Sequence, residues 1–427
     1  MRSPPRVYAI DFGTSNSLLA AANAEEIHPP IPLDPAAEDP TILRSVLFFP
    51  SSKRCHYGVE ALQEYVAHGM QGRLIRSIKK HLPARSFIGT HIEERPMRLE
   101  DLIGALLREM RRRANAYFGA DVRRVVLGRP AKFSADPNDD LFAERRLERS
   151  ARIGGFEDVR FVPEPLAAAR DFQSALDGPK TVLVADFGGG TSDFTVLRMR
   201  PDGYDPTDVL AIGGVSVAGD ALDGTIMRTR IAPHFGADVT YKVPLGANVL
   251  TMPKPITEKL CSPADLSVLQ RRDVRAFLED IRGWSLGPDD RRRIDQLFTL
   301  VEDALGFQVF EAIERTKREL SSRDATEFVF EYPTIQIREP VTRTDFERGS
   351  EAAVGSILGA LDDTVRASGI APERIDLVCC TGGTAKVPIL AGALARRFRS
   401  ARIHQHNNFH SIIQGLADRA RALTVSA

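Results

Sequence analysis

A strand-like run ending in an aspartate, a glycine turn, two hydroxyl-bearing residues and a returning apolar run occurs twice in this 427-residue chain, with the aspartates 175 residues apart. The first copy is Val7-Tyr8-Ala9-Ile10-Asp11-Phe12-Gly13-Thr14-Ser15-Asn16, returning through 18–22. The second is Leu183-Val184-Ala185-Asp186-Phe187-Gly188-Gly189-Gly190-Thr191-Ser192-Asp193, with two more glycines, returning through 194–199. Stacked solenoid units recur every ~20–50 residues. One pair at this separation implies two related lobes instead.

Further short apolar runs at 122–127 and 375–380 are continuous, not alternating, as in sheets covered on both faces. Between such runs lie helical periodicities. Leu102, Leu106, Met110, Ala114 and Tyr117 share one face over 99–118, and 141–153 is a second helix stopped by Gly154-Gly155. Helices are also expected over 302–320 and 387–398. The five prolines of 27–40 fix φ and remove donors, which predicts a surface loop. Strand and helix alternate, so the fold class is α/β.

Composition excludes whole classes of partner. Fifty-seven basic residues balance fifty-seven acidic ones, leaving no excess charge to drive binding to nucleic acid or an anionic membrane. No run approaches the roughly 18 apolar residues of a membrane helix, and the N-terminus lacks a secretory signal. A soluble, cytoplasmic, monomeric protein is expected. Cys379 and Cys380 are neighbours while Cys55 and Cys261 stand alone, which disfavours a disulfide framework or a four-cysteine zinc site.

The glycine turns carry the chemistry. Gly13-Thr14-Ser15 and Gly188-Gly189-Gly190-Thr191 let backbone N–H groups approach an anion closely, and phosphate is the natural ligand. Asp11 and Asp186, at the strand ends, suit Mg²⁺ held through water, with Asp193 assisting. One such hairpin is commonly structural; two with matching acids favour phosphate. No GxxxxGK[ST] or GxGxxG pattern is present, which demotes P-loop and Rossmann readings. A third element, Thr381-Gly382-Gly383-Thr384-Ala385-Lys386, links a strand to a helix, either as a plain turn or as a place where backbone passes close to a ligand. Glu314, Lys317, Arg318 and Ser321 share one helix face, a solvated stripe or a pocket wall. Glu164, between Pro163 and Pro165, begins a small-residue helix, either as an ordinary first-turn acid or as a fixed carboxylate that orients a water.

These motifs, in this order, resemble the actin-like ATPases, and most of all the nucleotide-binding domain of the DnaK-type, seventy-kilodalton heat-shock chaperones. The resemblance spans Val7 to about Gly415. It implies a duplicated actin-like (ribonuclease-H-like) fold, two lobes around a nucleotide cleft, with ATP/ADP and Mg²⁺ as ligands. By that likeness the hairpins, Asn16 included, hold the β- and γ-phosphates, Asp11 and Asp186 order the hydrated Mg²⁺, and Glu164 and Thr191 sit by the attacking water. Lys79, in Arg76-Ser77-Ile78-Lys79-Lys80, matches a phosphate-contacting lysine, with Lys80 as its neighbouring rival. Glu314, Lys317, Arg318 and Ser321 then touch ribose and adenine. Gly382, Gly383, Thr384 and Lys386 close the nucleoside pocket, and Gly213, Gly219 and Asp223 match a further family stretch.

The resemblance implies lobe I over 1–180 with an inserted subdomain at 41–117, lobe II over 181–400 with an insertion at 224–305, and a return to lobe I over 401–427. Segment 232–303 departs from the family and holds the sole tryptophan, Trp284, beside Arg271-Arg272 and Arg291-Arg292-Arg293, read as solvated helix faces. The family's acid near adenosine has no counterpart in Asn407-Asn408-Phe409-His410. Only 12 residues follow Gly415, so no peptide-binding domain is expected, as in the truncated YegD-like group. His404, His406 and His410 give a weak metal signal without acid or cysteine support. Arg108–Arg113 with Arg123-Arg124 read as a solvated face in preference to a nucleic-acid patch. The functional expectation is a slow ATPase whose nucleotide state controls lobe closure and binding of a protein client or cochaperone; a small-molecule kinase and a nucleotide-gated scaffold or filament are the alternatives.

Overall fold

The computed structural model describes residues 3–425 except 70, 135, 174–175, 202–205, 263–265, 304 and 406–409. The chain divides into two compact units. One comprises Met1–Ala218, Ser356–Lys386 and Leu390–Ala427; the other comprises Gly219–Gly355 and Val387–Ile389.

The first unit holds both copies of the repeat, each opening a sheet. In the first sheet β1 (Val7–Phe12) pairs antiparallel with β2 (Asn16–Ala22), which pairs antiparallel with β3 (Ile27–His28) and with the short strand Leu43–Arg44. On its other side β1 runs parallel to β4 (Arg124–Arg129), and β4 parallel to β5 (Asp158–Pro163), giving the order β5-β4-β1-β2-β3. The second sheet repeats this. β6 (Lys180–Phe187) pairs antiparallel with β7 (Ser192–Met199), β7 antiparallel with β8 (Val209–Val215), and β6 parallel to β9 (Leu377–Thr381), itself parallel to β10 (Arg402–Gln405). The order is β8-β7-β6-β9-β10, so each sheet places a hairpin and then two parallel strands around its first strand. This is the duplicated actin-like α/β fold that the motifs imply.

All six residues of β1 are buried, as expected of a central strand covered on both faces. One face packs on the helices Leu99–Phe118 and Pro137–Ile153 through Tyr8, Ile10, Leu102, Leu106, Met110 and Leu147. The other face, carrying Val7, Ala9 and Leu18, meets Ile413, Leu416 and Ala420 of the helix Ser411–Val425. The helix Glu164–Gln173 serves both sheets: Ala167 joins the first core, Ala168 and Ala169 the second. The facing helix needs glycine at 415, because a Cβ there would lie 1.9 Å from the Ala167 carbonyl oxygen.

Several boundaries differ from expectation. The proline-rich segment 27–40 is not wholly a surface loop: it contributes β3, and Ile31 and Leu33 are buried. Spaced two apart around Pro32, they point to the same side of extended chain and enter the core. The helix at 141–153 begins earlier, at Pro137, because Asp136 accepts hydrogen bonds from the amides of Asn138 and Asp139. The helix expected over 302–320 is two, Asp290–Glu302 and Gly306–Leu320, interrupted before Gly306. The helix expected over 387–398 runs Pro388–Arg397, preceded by a 3₁₀ turn over Gly383–Lys386.

The second unit is mainly helical. The helix Gly306–Leu320 packs against the hairpin of Ala325–Tyr332 and Ile335–Thr342. Arg271 pairs with Asp273, Arg292 with Asp289 and Arg293 with Asp238, as solvated faces do. The four cysteines are free thiols. No helix among the described residues is long and apolar enough to cross a membrane.

Candidate functional site

Both hairpin turns close in the same way. The Gly13 amide donates to the Asn16 carbonyl at 3.0 Å and the Gly188 amide to the Thr191 carbonyl at 2.9 Å. At position 13 only glycine fits, since a Cβ would lie 2.2 Å from the Asn16 oxygen. Ser45 braces the first turn: its hydroxyl donates to the Gly13 carbonyl and its amide to that of Ser15, both at 2.8 Å. The two turns meet, with a Cβ position at Gly190 3.5 Å from the Thr14 side chain. The third glycine element joins them. Gly382 adopts φ +83°, a Cβ there would fall 2.1 Å from the Phe187 oxygen, and the Thr384 hydroxyl donates to the Gly188 carbonyl at 3.0 Å. The amides of Thr14, Ser15, Gly189 and Gly190 donate to no group among the described residues. Such a set of free amides with no covering side chain suits an anion.

Beneath the turns lies a group of buried charges. Asp11 and Asp186 end β1 and β6, Asp193 lies directly across from Asp186 on β7, and Glu164 opens the helix after β5. Burial, with the negative charge of Glu164 next, pushes the Asp11 carboxyl up to about 8 and that of Asp193 likewise to about 8. Asp186 rises to about 6 for the same two reasons, moderated by the Thr381 hydroxyl, which donates to its Oδ1 at 2.7 Å. One cation answers these four carboxylates: the Lys79 Nζ donates to Glu164 Oε1 at 2.6 Å. Burial alone would lower the Lys79 pKa, but Glu164 and Asp11 more than offset it and raise it. Lys79 rides on a 3₁₀ turn, Ile78–His81, entered through Ser77 at φ 54°.

Asp11 and Asp193 therefore hold their protons at neutral pH, and a divalent cation that displaced them would meet hard carboxylate oxygens opposed by one ammonium among the described residues. No three His, Cys, Asp or Glu side chains converge as direct ligands among the described residues. Asp193 Oδ2 is buried without a hydrogen-bond partner. The set therefore fits an ion such as Mg²⁺ that keeps its water shell.

The second unit holds the remaining candidates. Lys317 is turned inward, 2.8 Å from Asp223 Oδ1 and 3.4 Å from the Gly219 carbonyl oxygen. Burial lifts Asp223 to about 6 against the pull of Lys317. Glu314 and Arg318 are exposed, and the Ser321 hydroxyl donates to the Lys317 carbonyl. In the first unit, Lys386 is exposed and Gly383 has open space around it.

Sequence reasoning missed several supports. A Cβ at Gly128 would lie 3.2 Å from Glu164 Cγ, so that glycine makes room for the carboxylate. The Ala131 amide donates to Asp193 Oδ1 at 3.1 Å, tying the loop after β4 to the second hairpin. Only the glycine between two strand residues hinted at the first, and a backbone donor leaves no trace in sequence. In the basic cluster, Arg111 pairs with Asp121, Arg112 and Arg113 with Glu109, Arg123 with Glu157 and Arg124 with Asp158. His410 Nε2 shares a hydrogen bond with the Thr41 hydroxyl at 2.9 Å; His406, Asn407, Asn408 and Phe409 lie outside the described residues.

Comparison with known proteins agrees with the motifs. A family model described as Hsp70 protein matches residues 51–238. The "Chaperone protein DnaK" of Thermotoga neapolitana is 24% identical over 397 residues, covering 90% of this chain and 54% of that protein. The chain thus spans about half the length of the curated relative it matches.

Proposed function

We propose that this chain, which resembles the nucleotide-binding domain of DnaK-type chaperones in the actin-like ATPase superfamily, binds ATP and ADP with Mg²⁺ and hydrolyses ATP slowly as a chaperone-like protein. The observation that carries the reading is two glycine turns with unengaged amides, joined by a third glycine element, set over four buried carboxylates and one lysine. In this reading the amides of Thr14, Ser15, Gly189 and Gly190, within the turns Gly13–Asn16 and Gly188–Thr191, receive the phosphates. Asp11 and Asp186 hold the hydrated Mg²⁺, with Asp193 behind them. The bound ion supplies charge neutralisation on the phosphate oxygens. Lys79 meets a phosphate oxygen and thereby loosens its grip on Glu164, whose carboxylate then orients the attacking water beside Thr191. Gly382, Gly383, Thr384 and Lys386 serve the nucleoside. Lobe I (1–180, closed by 401–427) and lobe II (181–400) move with the nucleotide state and gate a protein client or cochaperone.

The test is ADP formation by the pure chain with ATP, with and without Mg²⁺, repeated with an unfolded client and a J-domain cochaperone. Asp186→Asn should abolish Mg²⁺-dependent ATP binding in calorimetry, and unchanged binding removes the site. Glu164→Gln should slow turnover by at least about 100-fold with binding retained.

A further inference from the structure

The 3₁₀ turn that carries Lys79 runs on into an irregular segment closed only by short-range bonds, the Ala84 amide donating to the His81 carbonyl and the Phe87 amide to that of Ala84, both at 3.1 Å. In this chain a distant side chain also binds these carbonyls. Arg146, on the helix Pro137–Ile153, is nine-tenths buried; its Nη1 lies 3.2 Å from the His81 carbonyl oxygen and 3.3 Å from those of Leu82 and Ala84, and its Nη2 donates to the Phe87 carbonyl at 3.0 Å. Its Nε donates to Glu100 Oε1 at 2.9 Å, which supplies the counter-charge, and its guanidinium stands 5.2 Å from the centre of the Phe142 ring. The His81 and Phe87 rings stack at 4.1 Å across the looped segment. A buried guanidinium that binds four carbonyls of one irregular stretch fixes where that stretch sits. The nearest functional group on it is Lys79, two residues before His81.

We infer that Arg146 is a positioning residue for Lys79: by gathering the carbonyls of 81–87 it holds the 3₁₀ turn so that the Lys79 ammonium reaches Glu164. Lysine cannot replace it, because one ammonium cannot span Glu100 and four carbonyls as the planar fork does. The consequence for turnover rests on the nucleotide reading above; the placement of Lys79 does not.

The experiment is acetic anhydride labelling of the full chain without nucleotide, read lysine by lysine by mass spectrometry, for the unmodified protein, R146K and R146M. In the unmodified protein Lys79 should be protected relative to Lys80, which is only half-buried. In R146M the Lys79-to-Lys80 ratio should rise at least about fivefold through local opening, with R146K between. Lys317, buried against Asp223 in the other unit, should stay protected. In turnover, kcat should fall by up to about 100-fold, as a displacement near 1 Å does, with KM little changed. An unchanged Lys79 ratio in both variants overturns the inference, as does a rise at Lys317 equal to that at Lys79, which is what general loosening gives. Uncovered Lys79 in a chain that makes no ADP leaves the inference standing and removes the nucleotide reading alone.

Discussion

Replacing Asp11 by Asn should stabilise the protein by about 1.6 kcal/mol at pH 5 and by about 5 kcal/mol at pH 8, in the absence of Mg²⁺. The folded chain holds the Asp11 proton up to about pH 8, whereas an unfolded aspartate releases it near 3.8. Between those values the folded state binds more protons than the unfolded one, so stability falls as pH rises. For one carboxylate, from pH 5 to 8, the loss is about 3.5 kcal/mol at 1.36 kcal/mol per unit. Glu164 and Asp186 repel Asp11, so ionisation of one carboxylate opposes ionisation of the next and the loss is that of a single group. For a chain of 427 residues the difference corresponds to about 4–6 °C in Tm. The assay is thermal unfolding of the unmodified chain and D11N from pH 5 to 8.5. Taking the difference between the two cancels histidines and other groups that titrate alike in both. On the proposed reading Mg²⁺ binds the ionised carboxylates, and adding it should then narrow the gap at pH 8. A difference that is flat with pH, or that favours the unmodified chain at pH 8 without Mg²⁺, refutes the buried-cluster account.

Lys317→Met removes the cation that faces buried Asp223 and should cost about 3 kcal/mol in urea unfolding, more at pH 8 than at pH 5, because the lone carboxyl is then pushed further up; replacing Asp223 by Leu as well should recover most of the loss. Gly382→Ala should destabilise by at least about 2 kcal/mol, since the new Cβ meets the Phe187 oxygen at 2.1 Å with φ at +83°. Gly383→Ala, with open space around it and no positive φ, should stay within about 0.5 kcal/mol by the same denaturation curve.

The repeated strand-Asp-Gly motif was legible because its parts are local: a continuous apolar strand, an acid at its end and a glycine turn are each set by neighbours in sequence. Both sheets grow from those copies in the same strand order. Helix cores were equally plain at 99–118, where the structure has Leu99–Phe118. Ends were less so, since the start at Pro137 depends on an Asp136 cap and the break before Gly306 on a short turn. The surface loop expected at 27–40 failed because Ile31 and Leu33 find a core that prolines alone do not announce.

Sequence by itself determined the α/β class, the duplication and the acids and glycines of the candidate site, because backbone preference and strand periodicity act over a few residues. Tertiary structure alone decided which of two adjacent lysines lies inward. Lys79 is buried against Glu164 while Lys80 is not, a choice made by the rotation of one 3₁₀ turn and by Arg146 sixty-odd residues away. It also turned Lys317 toward Asp223 and set Gly128, Ala131 and Thr381 beside the carboxylates. Burial and partner distance govern charge placement and pKa, and both arise only when segments far apart in the chain are packed together.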